Sequence, residues 1–212
     1  MISLSGIDCG GKSTQIEKLK VELEKKGFKC KVIHSRGGYT PVLEFFKTLI
    51  RKDKNGTAEE HEKYREKVHG SSRKRRMLLW LSIFDLGLFY GVYFRISEMW
   101  GNLILADRYI WDSYIDFVIK YPEFEFEKWK VWKIVKRIFL KPTHSIIYTI
   151  PAELSMYRST LKDEPWPEPI EVRRERIDRY MSEIELGRWK YVIDATASVE
   201  EVFEETMRVI EL

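Results

Sequence analysis

The run Gly6-Ile7-Asp8-Cys9-Gly10-Gly11-Lys12-Ser13 constrains this chain more than any other feature. It matches the spacing Gly-x-x-x-x-Gly-Lys-Ser/Thr. Before it stands an apolar run, Met1–Ser5, which reads as a short buried strand. After it, Ile16, Leu19 and Leu23 recur at helical spacing, and Gly27 ends that helix. Strand, glycine-rich turn and helix in this order aim backbone N–H groups and the positive end of a helix dipole at one point. A phosphate chain is the ligand that fits. The spacing therefore predicts phosphate binding by Gly6, Gly10, Gly11, Lys12, Ser13 and Thr14. Lys12 is placed for the β- and γ-phosphates, and the Ser13 hydroxyl for Mg²⁺.

The rest of the chain repeats the alternation. Cys30–His34, Leu103–Ala106, Ser145–Ile150 and Tyr191–Ile193 are further strand candidates. Helical patterns cover Pro41–Lys52, the stretch from Thr57 to Val68, Met77–Trp100, Ser113–Lys120, Glu125–Leu140, Pro151–Leu161, Glu171–Gly187 and Ser198–Ile210, where Ser198 is a plausible cap. Short apolar strands alternating with helices predict an α/β fold. Its expected form is the P-loop NTPase type, a five-stranded parallel sheet with helices on both faces. No internal repeat, low-complexity tract or linker divides the 212 residues, so a single domain is expected over 1–212. Ligands of such sheets bind beyond the carboxyl ends of the strands.

Composition narrows the partners. Apolar residues make up 44% and charged residues 33%, a globular balance. The net charge of +4 argues against a protein that coats polyanions. Arg73-Lys74-Arg75-Arg76 lacks the interleaved aromatics of a nucleic-acid surface, so no nucleic acid is expected. Cys9 and Cys30 form neither a metal-ligand pattern nor a disulfide framework, and the N-terminus has no signal-peptide architecture. A cytoplasmic protein follows as the expectation. Met77–Phe94 is apolar enough to suggest a membrane span, with positive charges before it. Asp85 in its middle would be costly in lipid, so a buried helix and no membrane are expected.

The third strand ends in Ala106-Asp107-Arg108-Tyr109. A carboxylate there can hold Mg²⁺ through water or orient an acceptor. A guanidinium can clamp an acceptor phosphate with its planar fork. The guanine-reading Asn-Lys-x-Asp of a GTPase does not occur, and no Asp-x-x-Gly switch follows the third strand.

Gly-Ile-Asp-x-x-Gly-Lys-Ser-Thr-Gln near the start, Asp-Arg-Tyr after the third strand and Val-Ile-Asp-Ala near the end together resemble the thymidylate kinase family. The likeness in element order spans nearly the whole chain. It implies transfer of the γ-phosphoryl group of ATP to a nucleoside monophosphate, dTMP first, with Mg²⁺ and a homodimer built on helix faces. It also implies roles for further residues. Arg36, in Arg36-Gly37-Gly38-Tyr39-Thr40-Pro41, would line the acceptor phosphate pocket. Trp80, in Leu78-Leu79-Trp80, would stack on the acceptor base. Asp8 or Asp107 would orient the acceptor, and Arg108 would face its phosphate.

The chain departs from the family pattern in three respects. The arginine that reads thymine falls at Phe84, a Tyr-Gln pair falls at Asp116 and Phe117, and the arginine that one branch carries in the phosphate loop is Cys9. A catalytic cation is then expected from a lid at about 158–176, with Arg158 and Lys162 first and Arg173, Arg174 and Arg176 behind them. Arg76, one helical turn before Trp80, is a candidate to replace the lost base reader. The rival readings are a deoxynucleoside kinase and a regulatory nucleotide-binding module without turnover.

Overall fold

The computed structural model describes residues 1–34, 72–162 and 168–210. Arg36 and the helices expected over Pro41–Lys52 and from Thr57 to Val68 lie outside the described residues. The described residues fall into two compact units. One comprises 1–34, 96–115, 141–162 and 168–210, and the other 72–95 and 116–140.

In chain order the strands are β1 (Ile2–Gly6), β2 (Cys30–His34), β3 (Leu103–Asp107), β4 (His144–Thr149) and β5 (Tyr191–Asp194). The helices are α1 (Lys12–Lys25), α2 (Ser72–Leu88), α3 (Phe94–Met99), α4 (Ile110–Lys120), α5 (Lys130–Ile138), α6 (Ala152–Leu161), α7 (Ile170–Glu185) and α8 (Val199–Ile210). The fold is α/β, with an all-parallel sheet of five strands in the order β2-β3-β1-β4-β5, flanked by helices. This is the class read from the sequence, and it is consistent with the P-loop NTPase type.

The central strand explains why the alternation was legible. Every residue of β1 is buried, as a parallel strand covered on both faces must be. Ile2 and Leu4 belong to one core with Leu105 of β3, Ile146 of β4 and Ile193 of β5. Ile16, Leu19 and Leu23 of α1 and Val202 and Ile210 of α8 join the same core. Ser198 does cap α8. Its hydroxyl accepts from Glu201 N at 3.3 Å, while its own N–H donates to the Glu201 carboxylate at 3.0 Å, a reciprocal capping box. Register sets up the site: Leu4 lies opposite Asp107, Asp107 opposite His34, and Gly6 opposite Tyr148.

In the second unit, α2 buries Leu79, Ile83 and Leu86, and α5 buries Trp132 and Val135. The apolar helix starts earlier than its pattern suggested. Arg73–Arg76 form part of its first turns and do not merely flank it. It runs through a π-turn, Phe89–Tyr93, into α3. Gly87 and Gly91 serve packing inside this unit. A Cβ on Gly87 would meet Val135 at 3.0 Å, and one on Gly91 would meet Ile138 at 3.0 Å. The helical pattern over Glu125–Leu140 is broken at Trp129, whose backbone is extended between a 3₁₀ turn, Phe126–Lys128, and α5. By length and composition the stretch Ser72–Met99 could cross a membrane: an 18-residue window within it has a mean hydropathy of 1.6, and 56% of that window is buried.

Candidate functional site

The site grows from the end of β1. Gly6 has φ 136°, and a Cβ there would stand 2.4 Å from the Tyr148 carbonyl oxygen on β4. Only glycine lets the chain leave the sheet at this point. The turn closes with Gly10 N donating to Ile7 O at 3.2 Å, and α1 begins with Gln15 N on Gly11 O at 3.1 Å. Cys9 is left-handed at φ 58°, and its thiol is free of any disulfide, as is that of Cys30. Ser13 and Thr14 are exposed at the first turn of α1.

Lys12 is buried, and its ammonium donates to Gly6 O at 3.0 Å and Ile7 O at 2.6 Å. Burial first, and then the charge of Arg108, lower its pKa from 10.5 to about 8. Asp8, Asp107 and Asp112 pull the other way. Lys12, Asp8, Asp107 and Arg108, separately inferred from the sequence, thus share one electrostatic cluster.

Arg108 follows β3 in a left-handed conformation, φ 72°, with its N–H on Leu4 O at 2.9 Å. Its guanidinium is 3% exposed and donates to the Asp8 carboxylate. Asp107 Oδ2 pairs with His34 Nδ1 at 2.8 Å. Burial raises the Asp107 pKa, but the His34 hydrogen bond and the charges of Lys12 and Arg108 outweigh it, so the net direction is down. Asp107 Oδ1 is buried with no hydrogen-bond partner among the described residues. That acceptor fits a divalent cation or its water. No group of three His, Cys, Asp or Glu side chains among the described residues could cage a metal. The donor set suits Mg²⁺, which takes one or two protein oxygens and completes its shell with phosphate and water. Ser13 and Asp107 are the residues that would hold it.

Asp112 was not singled out in the sequence. It is 1% exposed and accepts from Ser5 Oγ at 2.6 Å, Tyr180 OH at 2.7 Å, Tyr109 N at 2.9 Å and Gly6 N at 3.4 Å. The available signal was local. An acid three residues after Tyr109 in the first turn of α4 has the spacing of a capping box.

The lid candidates separate. Arg158 donates to Ala195 O at 3.1 Å and lines a cavity of about 300 Å³ with Cys9, Gly11, Thr14, Ala197 and Val199. Arg173 is fully buried and donates to Ser155 Oγ at 2.5 Å and to Ser159 Oγ at 3.0 Å. Ser155 in turn donates to the Asp8 carbonyl at 2.8 Å. Arg176 grips the Glu168 carboxylate at 2.8 and 3.1 Å, and Arg174 pairs with Glu153 on the exposed surface. Residues 163–167 of the expected lid lie outside the described residues.

Trp80 and Arg76 belong to the second unit. With Arg73, Met77, Trp129 and Lys130 they line a groove of about 540 Å³. The Arg76 guanidinium lies 5.4 Å from the Trp129 ring centre, a cation–π contact. Trp80 stacks on Phe84 at 5.5 Å with the rings 5° from parallel. Phe117 is buried edge-on to Phe126.

No protein-family model matches the chain, and no curated protein matches it. The functional reading therefore rests on the site.

Chemically, the first unit offers a backbone cradle, two buried cations, one in the loop after β1 and one after β3, and the carboxylates of Asp8 and Asp107 beside them. Such an arrangement can neutralise and orient two phosphate-bearing molecules at once.

Proposed function

We propose that this protein is an ATP- and Mg²⁺-dependent nucleoside monophosphate kinase of the thymidylate kinase type, phosphorylating dTMP to dTDP. One observation carries the reading. Lys12 and Arg108 are separate buried cations, one in the phosphate loop and one on the neighbouring strand end, with Asp8 bound to the second. One cation serves a donor phosphate chain. A second, on the neighbouring strand end, is placed to clamp an acceptor that also carries phosphate. A hydroxyl acceptor would instead call for a carboxylate base; Asp8 is paired with Arg108, and Asp107, with one oxygen on His34, is assigned to Mg²⁺.

Each residue then has a role in phosphoryl transfer, which depends on positioning and charge more than on covalent chemistry. Lys12 holds the transferring group, and the loop amides bind the oxygens around it. Arg108 exchanges the Asp8 carboxylate for the acceptor phosphate, which frees Asp8 to orient the acceptor. Ser13 and Asp107 would hold Mg²⁺, which would supply charge neutralisation for the β- and γ-phosphates. The cavity bounded by Arg158 and the turn after β5 takes the nucleotide base of ATP.

The test is acceptor-dependent ADP release over a panel of nucleosides and nucleoside monophosphates. Turnover of monophosphates with dTMP preferred supports the proposal. Turnover of nucleosides alone replaces it with a deoxynucleoside kinase, and ATP binding without acceptor-dependent turnover replaces it with a regulatory module.

A cytoplasmic homodimer belongs to the same reading. Gly87 and Gly91 are used internally, but Phe84, Leu88 and Val92 stay exposed at four-residue spacing. Light scattering at micromolar concentration should give twice the 25.4 kDa chain mass. A monomer refutes the dimer, and extraction only with detergent refutes the cytoplasmic assignment.

A further inference from the structure

Asp112 has no part in the reaction proposed above, yet its carboxylate gathers four donors from three segments of the chain. At 1% exposure it does not meet a substrate. The place of such a carboxylate is fixed by the groups that fill its lone pairs.

The ladder shows what it replaces. Leu4 bonds to the β3 side, since its carbonyl accepts from Arg108 N. Alternate residues of a strand face the same neighbour, so the N–H of Gly6 points to the β3 side as well. By then β3 has ended, at Asp107. Asp112 Oδ1 takes up the orphan N–H at 3.4 Å. Oδ2 accepts Tyr109 N at 2.9 Å, immediately after the left-handed Arg108. Ser5 Oγ secures the same oxygen from β1, and the Arg108 guanidinium lies 3.8 Å from Oδ1. Two turns that diverge from adjacent strands, one leading to Lys12 and the other carrying Arg108, are thereby tied through one side chain. Tyr180 brings α7 to the same carboxylate, with its ring packed at 5.7 Å from Trp189.

We propose that Asp112 is a positioning residue that locks the start of the phosphate loop to the Arg108 turn, with Tyr180 as the donor that couples α7 to the lock. The kinetic consequence rests on the kinase reading, but the structural one does not.

The variants are Tyr180→Phe, which removes one donor and keeps the ring, and Asp112→Asn, which keeps the volume and turns one acceptor into a donor. Hydrogen exchange of the full chain reads the lock without ligand. Peptides covering 5–12 and 107–112 should exchange about tenfold faster in Tyr180→Phe, while a peptide across β5 keeps its rate. In the dTMP assay, Asp112→Asn should lower acceptor kcat/KM by about 10²-fold, the scale of a misplaced catalytic group. In an Arg108→Ala background that loss should shrink to a few-fold, because the two residues act through each other.

Unchanged exchange in both site peptides in both variants overturns the lock. Exchange that rises equally in β5 overturns it too, since that is general loosening. Additive losses in the double variant overturn the link to Arg108. If Asp112→Asn does not fold, Tyr180→Phe decides the matter by exchange and by a fall in kcat at unchanged melting temperature. A wild type with the expected exchange pattern but no turnover of any monophosphate leaves the lock in place and removes the kinase reading.

Discussion

At the carboxyl edge of the first unit's sheet, Lys12 is fixed on two carbonyls, Arg108 on Asp8, Asp107 on His34, and Asp112 on four donors. In the second unit, the groove around Trp80 holds, among the described residues, a cation–π pair and a ring stack, and Trp80 is 45% exposed. The first region is charge held in fixed geometry; the second is a surface. The contrast follows from what each would recognise. A phosphoryl group needs preorganised charge within hydrogen-bond distance, because its energy depends steeply on placement. A planar ring needs area, which tolerates small shifts and many residue types.

The contrast breaks first at Lys12. Lys12→Ala should cut phosphoryl transfer by about 10³-fold or more, the scale of losing a principal charge stabiliser. Folding should persist, since the removed ammonium bonds loop carbonyls and not the core. Circular dichroism checks the fold and ADP release the rate; wild-type turnover in a folded variant would remove the phosphate loop from the chemistry. Arg108→Ala comes next. It leaves Asp8 and Asp112 without their buried cation, so acceptor kcat/KM should fall by a factor equivalent to about 2–5 kcal/mol. ATP affinity measured by titration should change far less. Equal losses for the two ligands would move Arg108 off the acceptor side.

The same contrast explains what could be read from the sequence. Gly6, Gly11, Lys12 and Ser13 were legible because a tight turn between a strand and a helix admits few residues, and the Gly6 Cβ position is filled by Tyr148 O. Asp107 and Arg108 were legible from their place at a strand end. Asp112 and Tyr180 were not. They lie 68 positions apart and meet only through the tertiary fold. Arg173 read as a mobile lid charge because nothing local shows that Ser155 and Ser159 will bury it. Gly87 and Gly91 stand four residues apart in the sequence, but only the fold shows that the close approach they allow is to Val135 and Ile138 of α5. Trp129 was hidden for another reason. Helical periodicity runs through it, while the backbone there is extended and turns the indole toward Arg76.

Trp80→Ala sharpens the comparison from the other side. If the groove stacks the acceptor base, the variant should raise the acceptor KM by a factor equivalent to about 1–3 kcal/mol per stacked base. The kcat should be little changed, because stacking holds the ground state and the transition state alike. Trp80→Phe should recover most of the loss. A variant with unchanged KM across the monophosphate panel would show that the groove plays no part in acceptor binding.

The smallest effect is set by pH, and it divides the two regions most cleanly. The Lys12 pKa stands at about 8 before phosphate arrives, lowered by burial and then by Arg108. A lysine with a lowered pKa loses its charge as pH rises through that value. Bound phosphate favours the charged form, so binding takes up a proton above about pH 8 and none well below it. ADP affinity should therefore be flat between about pH 7 and 7.5, then fall with a slope approaching tenfold per pH unit above about 8. Lys12→Arg should abolish the slope, since a guanidinium stays charged throughout. The Trp80 indole has no such titration, because it neither gains nor loses a proton in this range. The KM ratio of Trp80→Ala to wild type should accordingly be the same at pH 7 and pH 9. Titration calorimetry in two buffers of different ionisation enthalpy would count the proton directly. An ADP affinity that stays flat to about pH 9.5 would mean that Asp8, Asp107 and Asp112 hold Lys12 charged against its burial.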